Sequence, residues 1–149
     1  MGFDLSHFCR ELVARSADAI VYADNEGLIR FWNAGAARIF GFAEAEAVGQ
    51  SLDLIIPQSL RERHWQGFDA TMRTGESRYG AGEILAVPAL RKGGTRISVE
   101  FTIVPFRGDG GRMVGIAAIL RDVTTRFEQT RALQRELAAL RGGGAAPRA

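Results

Sequence analysis

Residues 95–124, TRISVEFTIVPFRGDGGRMVGIAAILRDVT, alternate and then turn. Ile97, Val99, Phe101 and Ile103 fall on one side, and Ser98, Glu100 and Thr102 on the other. A period of two is that of a strand with one buried face. The GDGG run at 108–111 has the composition of a hairpin turn, and RMVGIAAILRDVT, which follows, reads as the returning strand.

Upstream, YGAGEILAVPALRK at 79–92 runs into the turn KGG, which predicts a third strand on the same ladder. Near the start of the chain, DAIVYAD (18–24) and LIRFWN (28–33) flank the tight turn NEG and predict a second hairpin. Helical signals lie between the two hairpins. Asn33 is placed to cap AGAARIFG, which Gly41 stops, and AEAEAVG forms a short helix ending at Gly49. Pro57 opens a longer helix that runs to about Arg73 and stops at TGE. Strands at both ends with helices gathered between them predict an α+β fold on an antiparallel sheet.

The flanks read as helices too. Asp4 precedes a pattern in which Leu5, Phe8 and Leu12 share a face, giving an N-terminal amphipathic helix over 1–16. Residues 123–141 place Val123, Thr130, Leu133, Leu137 and Leu140 near heptad spacing, with Phe127 one position off register. GGGAAPRA (142–149) is expected to be a disordered tail. The remaining residues, 17–122, form one domain.

Composition narrows the function classes. Nineteen Lys+Arg against seventeen Asp+Glu leave a formal +2, too weak and too scattered to argue for nucleic acid. The single cysteine, Cys9, allows no intrachain disulfide. No apolar run is long enough to span a membrane, and a cytoplasmic location is expected. No nucleophile, base and orienting group come together in the pattern, so no enzyme is expected. Glu83 and Glu100 are isolated strand carboxylates, with Arg91 or Arg96 as candidate partners for Glu100. His7 and Cys9 do not make a metal site by themselves.

Three features together resemble the PAS sensor family: residues 18–50, with two strands and an asparagine-led helix stopped by Gly41-Phe42; residues 89–124, with the long hairpin closing in Arg121-Asp122-Val123-Thr124; and the order of the strands. One departure is Gly93-Gly94 in a turn that usually carries Asp-Gly, and two glycines can adopt the same left-handed angles. The resemblance implies a five-stranded antiparallel sheet with helices on one face and a pocket between them. It also implies a sensor that signals through a partner such as a histidine kinase, or through a homodimer formed by the N- and C-terminal helices.

His64 lies in IPQSLRERHWQGF (56–68), which resembles the helix that carries the proximal ligand in haem-binding PAS domains of bacterial oxygen sensors. That likeness implies b-type haem held by His64, with Leu60, Trp65, Phe68, Leu85, Ile103, Ile116 and Ile119 around it. Arg61, Arg63 or Arg78 would pair with the propionates. The positions where such sensors carry a distal arginine, or in one group a methionine, fall on Leu85 and Glu83. An apolar Leu85 favours carbon monoxide or nitric oxide over stable oxygen binding.

Other readings stay open. In one, His64 is a half-buried helix residue and the domain is a cofactor-free dimerisation module whose cavity is closed by Trp65, Phe68, Phe40 and Met113. In another, the pocket takes a colourless small ligand. A flavin, FAD or FMN, with Trp32 or Trp65 stacked on it, is the last. Leu52 stands where a light-oxygen-voltage domain carries its reactive cysteine, which argues against photoadduct chemistry.

Overall fold

The computed structural model describes residues 2–77, 82 and 84–143. Its order is α1 (Leu5–Arg15), β1 (Ala19–Asp24), β2 (Ile29–Trp32), α2 (Ala34–Phe40), α3 (Glu44–Ala47), two 3-10 turns (Leu52–Ile55 and Gln58–Leu60), α4 (Arg61–Thr74), β3 (Leu85–Leu90), β4 (Arg96–Arg107), β5 (Met113–Asp122) and α5 (Thr124–Gly142). The five strands form one antiparallel sheet in the order β2-β1-β5-β4-β3. The fold is therefore α+β.

Alternation aligns the inner face. Ala19 pairs with Leu120, Val21 with Ala118 and Ala23 with Ile116, and Val99 and Ile97 continue that face on β4. The opposite parity points outward, leaving Val104, Phe106, Val114 and Ile119 exposed. The largest fully buried side chains are Trp32, Phe40, Ile29 and Val99. Trp32 and Phe40 pack with ring centroids 5.4 Å apart, and the Trp32 indole N–H donates to the Phe42 carbonyl at 2.9 Å.

The turn at Gly93-Gly94 has both residues at positive φ, 94° and 88°, which explains why a glycine pair can stand there. Two expectations need adjusting. The long helix starts at Arg61, because residues 58–60 wind as a tighter 3-10 turn after Pro57. Strand β3 runs only from Leu85 to Leu90, while 78–81 and Glu83 lie outside the described residues, as does most of the expected tail, 144–149.

Buried Asn33 ties α1 to the core. Its side-chain oxygen accepts from the amides of Ile20 and Ala36, so the expected cap of α2 is present, and its amide group donates to the carbonyls of Val13, Ser16 and Asp18. Helix α5 is tied in a similar way. The Ser98 amide donates to the Thr124 hydroxyl, which donates in turn to Asp122, and the Val123 amide donates to the Ser98 carbonyl. Neither α1 nor α5 contains a buried residue, so Leu5, Phe8, Leu12, Phe127, Leu133, Leu137 and Leu140 are all exposed. Glu100 pairs with Arg126 at the start of α5, not with Arg91 or Arg96. Arg126 approaches from α5, beyond the intervening β5, which strand spacing does not reveal.

Asp18 and Arg121 join the neighbouring ends of β1 and β5 through two hydrogen bonds, of 2.9 and 3.1 Å. The hydrogen bond from Arg121, against a smaller opposing effect of burial, holds the Asp18 carboxyl below its ordinary 3.8. A depressed folded-state pKa contributes stability above the unfolded value, and that stability is lost as pH falls through the folded value. Asp18→Asn is therefore expected to lower stability slightly at pH 7 and to flatten the acid limb below about pH 4. Urea melts at several pH values check this; an unchanged acid limb would assign the pH dependence to other carboxylates.

Candidate functional site

A cavity of about 540 Å³ lies between α4, the turns before it and the inner face of the sheet. That is within the range of about 300–1,000 Å³ for sites that enclose a small molecule. One wall is a helical stripe. Leu60, His64 and Phe68 form one row spaced by four, and Arg63, Gly67 and Thr71 form the row beside it. Among the described residues the sheet wall carries only apolar side chains, including Val21, Leu85, Phe101, Ile103, Ile116 and Leu120. Leu52 and Ile55 close the end nearest the 3-10 turns.

His64 is one of four polar residues in the described lining, with Arg63, Thr71 and Ser77. It is half-buried, and its Nδ1 is fully buried without a hydrogen-bond partner among the described residues. Burial pushes its pKa down, and Asp53 and Asp69 only partly oppose that, so the ring is neutral near pH 7. Neutral imidazole is the metal-ligating form. A buried nitrogen without a partner is costly, and a bound water or ion is one of the things that explain such an exception. The ring is fixed by Trp65 and Phe68, with centroids at 4.8 and 6.1 Å.

Of the residues expected around the site, Leu60, His64, Phe68, Leu85, Ile103 and Ile116 line the cavity. Trp65 and Ile119 do not. Position 65 is turned about 100° around the helix from 64. The Trp65 ring lies instead over Gly27, where any side chain would collide with it, and its N–H donates to Asp53 at 2.8 Å. Ile119 has the wrong parity: it pairs with Ile20 and Thr102 on the outer face and is 41% exposed, while Ala118 and Leu120 on either side point inward.

The other candidates sort as clearly. Phe40 belongs to the core beside Trp32, and Met113 packs behind Phe68 and Ile116, so neither closes the cavity. Trp32 is in the core as well. Arg61 is held by the turn before it, donating to the carbonyls of Ile56 and Asp53. Arg63 lines the cavity, is exposed and has no ion pair among the described residues. Arg78 and Glu83 lie outside the described residues. Cys9 is exposed on α1, away from the cavity.

Several lining residues escaped the sequence reading, including Val21, Ala23, Ala118, Leu120 and Gly67. The strand residues share parity with Ile116 and were legible in principle. Gly67 gave no signal beyond being a glycine inside a helical pattern.

A family model described as the PAS fold matches residues 13–128. The chain is 28% identical over 128 residues to the sensor protein FixL of Bradyrhizobium diazoefficiens, covering 86% of this chain and 25% of that one. It is 26% identical over 118 residues to the oxygen sensor protein DosP of Escherichia coli, covering 77% of this chain and 14% of that one. The chain thus spans a quarter or less of these relatives' length. A crystal structure of a PAS domain from Colwellia psychrerythraea superposes with a TM-score of 0.72 at 24% identity, covering 82% of this chain and 99% of that one. With the sheet, its order and the cavity beneath α4, the match over residues 13–128 places this chain in the PAS family of sensor domains.

Proposed function

We propose that this chain is the sensory unit of a signalling protein and that its cavity binds b-type haem through His64. The observation that carries the reading is the neutral, half-buried imidazole whose buried Nδ1 has no partner among the described residues, on the wall of a cavity lined mostly by apolar side chains. The residues fit the group: His64 to hold the iron, aliphatic walls to exclude water from the macrocycle, and Arg63 near the surface to pair with a propionate. Haem, when bound, supplies an iron that takes up diatomic gases. A sheet wall whose described side chains include no hydrogen-bond donor favours carbon monoxide or nitric oxide over stable oxygen binding.

The output follows the same residues. Ser98 sits on β4 beside the cavity-lining Val99 and bonds to Val123 and Thr124, where α5 begins. A shift of the sheet on occupation would reach α5 through these bonds, provided the occupant binds two states of the domain unequally. In this reading residues 17–122 sense and 123–141 signal. The exposed apolar faces of α1 and α5 meet a second copy or a partner histidine kinase, in the cytoplasm. Those same exposed faces support a second reading, a cofactor-free dimerisation module.

A hemin titration of the purified wild-type chain separates the two. The expected result is a sharp Soret band saturating at one hemin per chain, with quenching of Trp65 fluorescence, since that ring lies against His64. A weak, unsaturable change in absorbance would sink the haem reading and leave the dimerisation module.

A further inference from the structure

Gly67 stands in the interior of α4, one turn from His64 and one turn from Arg63. Glycine is the poorest helix former after proline. Here nothing in the backbone calls for it, because Gly67 is not among the glycines with positive φ. Nor does a neighbour crowd it: a Cβ built at Gly67 meets no atom within 4 Å. Gly27, Gly35 and Gly115 differ, since a side chain at each would collide with a neighbour. Among the described residues that line the cavity, Gly67 and Arg63 on α4 and the inward-facing Val87 on β3 are exposed. Among the described residues the cavity thus reaches the surface between α4 and β3, and Gly67 is on the rim there.

We propose that Gly67 is a specificity-determining residue of this cavity. By leaving one turn of α4 bare beside His64, it opens a slot between α4 and β3 for the edge of a flat, rigid occupant. The inference rests on the haem reading and adds to it the reason why the site helix carries a residue that weakens it. An occupant smaller than a macrocycle would not reach the rim and would be indifferent to a side chain there.

The test uses the full chain with Gly67→Ala, Gly67→Leu and, on the solvent side of the same helix, Gln66→Leu. Melting without hemin and hemin titration by Soret absorbance are the readouts. Gly67→Ala is expected to raise the melting temperature by about 2–4 °C, because alanine is the better helix former. It is expected to weaken hemin binding by about tenfold. Gly67→Leu should still melt cooperatively and lose the Soret band, while Gln66→Leu binds like wild type. Wild-type affinity in both Gly67 variants overturns the proposal and leaves the haem reading standing. Equal weakening by Gln66→Leu also overturns it, because the effect would then belong to the helix and not to the slot. No Soret band with the wild-type chain overturns both.

Discussion

His64→Ala is expected to abolish the Soret band that hemin gives with the wild-type chain while leaving the hemin-free domain folded. The two halves of this outcome have different causes. Iron would lose the one imidazole among the described residues of the cavity wall: the chain's other histidine, His7, is exposed on α1 and does not line the cavity. Altering groups that merely orient a metal ligand costs about 10–100-fold in affinity, so loss of the ligand itself should cost at least ~100-fold. Stability should change little. The variant loses ring contacts with Trp65 and Phe68, but it also removes a buried nitrogen that has no partner among the described residues. Lost packing and relieved desolvation oppose each other, and the net should stay within about 1 kcal/mol. Free imidazole added to His64→Ala should restore the band by entering the space left behind. A band that survives the substitution at wild-type affinity would place the iron elsewhere, and His7→Ala would be the next variant.

The largest effect on stability is expected at Asn33. Asn33→Ala removes five hydrogen bonds from one buried side chain. The cap of α2 is worth about 0.5–2 kcal/mol. The Ile20 amide and the carbonyls of Val13 and Asp18 lose a partner as well, and each buried polar group left unsatisfied costs about 1–3 kcal/mol. Where water can enter to replace part of the network the total falls to about 3–5 kcal/mol, a large share of the ~5–15 kcal/mol that holds a domain together. A urea melt should show the midpoint falling sharply, and limited proteolysis should cut first near residues 13–18, where α1 loses its tether. A loss below about 1 kcal/mol would mean that α1 is held to the core by other contacts.

The parts legible in the sequence were those specified locally. The alternation of 97–103 fixed which face of β4 is buried, and Asn33 and Gly41 marked the ends of α2 through their own chemistry. Gly93-Gly94 signalled a turn because few other residues adopt those angles. In the site, a spacing of four placed Leu60, His64 and Phe68 on one wall. The misplacements share a cause, which is dependence on partners remote in sequence. Trp65 is adjacent to His64 in the chain, yet its position is set by Gly27 and Asp53. Arg61 has the charge to hold a carboxylate and is taken by two backbone carbonyls that no side-chain pattern announces. Ile119 could have been excluded from the sequence, since it and Ile116 have opposite parity on a strand with a continuous register from Gly115 to Leu120.

The Asp18–Arg121 pair has a topological consequence. It joins the point where the chain comes in from α1 to the point where it leaves for α5, because β1 and β5 lie side by side with Ala19 opposite Leu120. The sensory unit is thus closed at its neck, like a loop drawn out from a continuous thread. A unit of that shape can be spliced into a longer polypeptide without separating what lies on either side. Residues attached before α1 and after α5 would be neighbours from the outset, and a small rotation at the neck would turn both together.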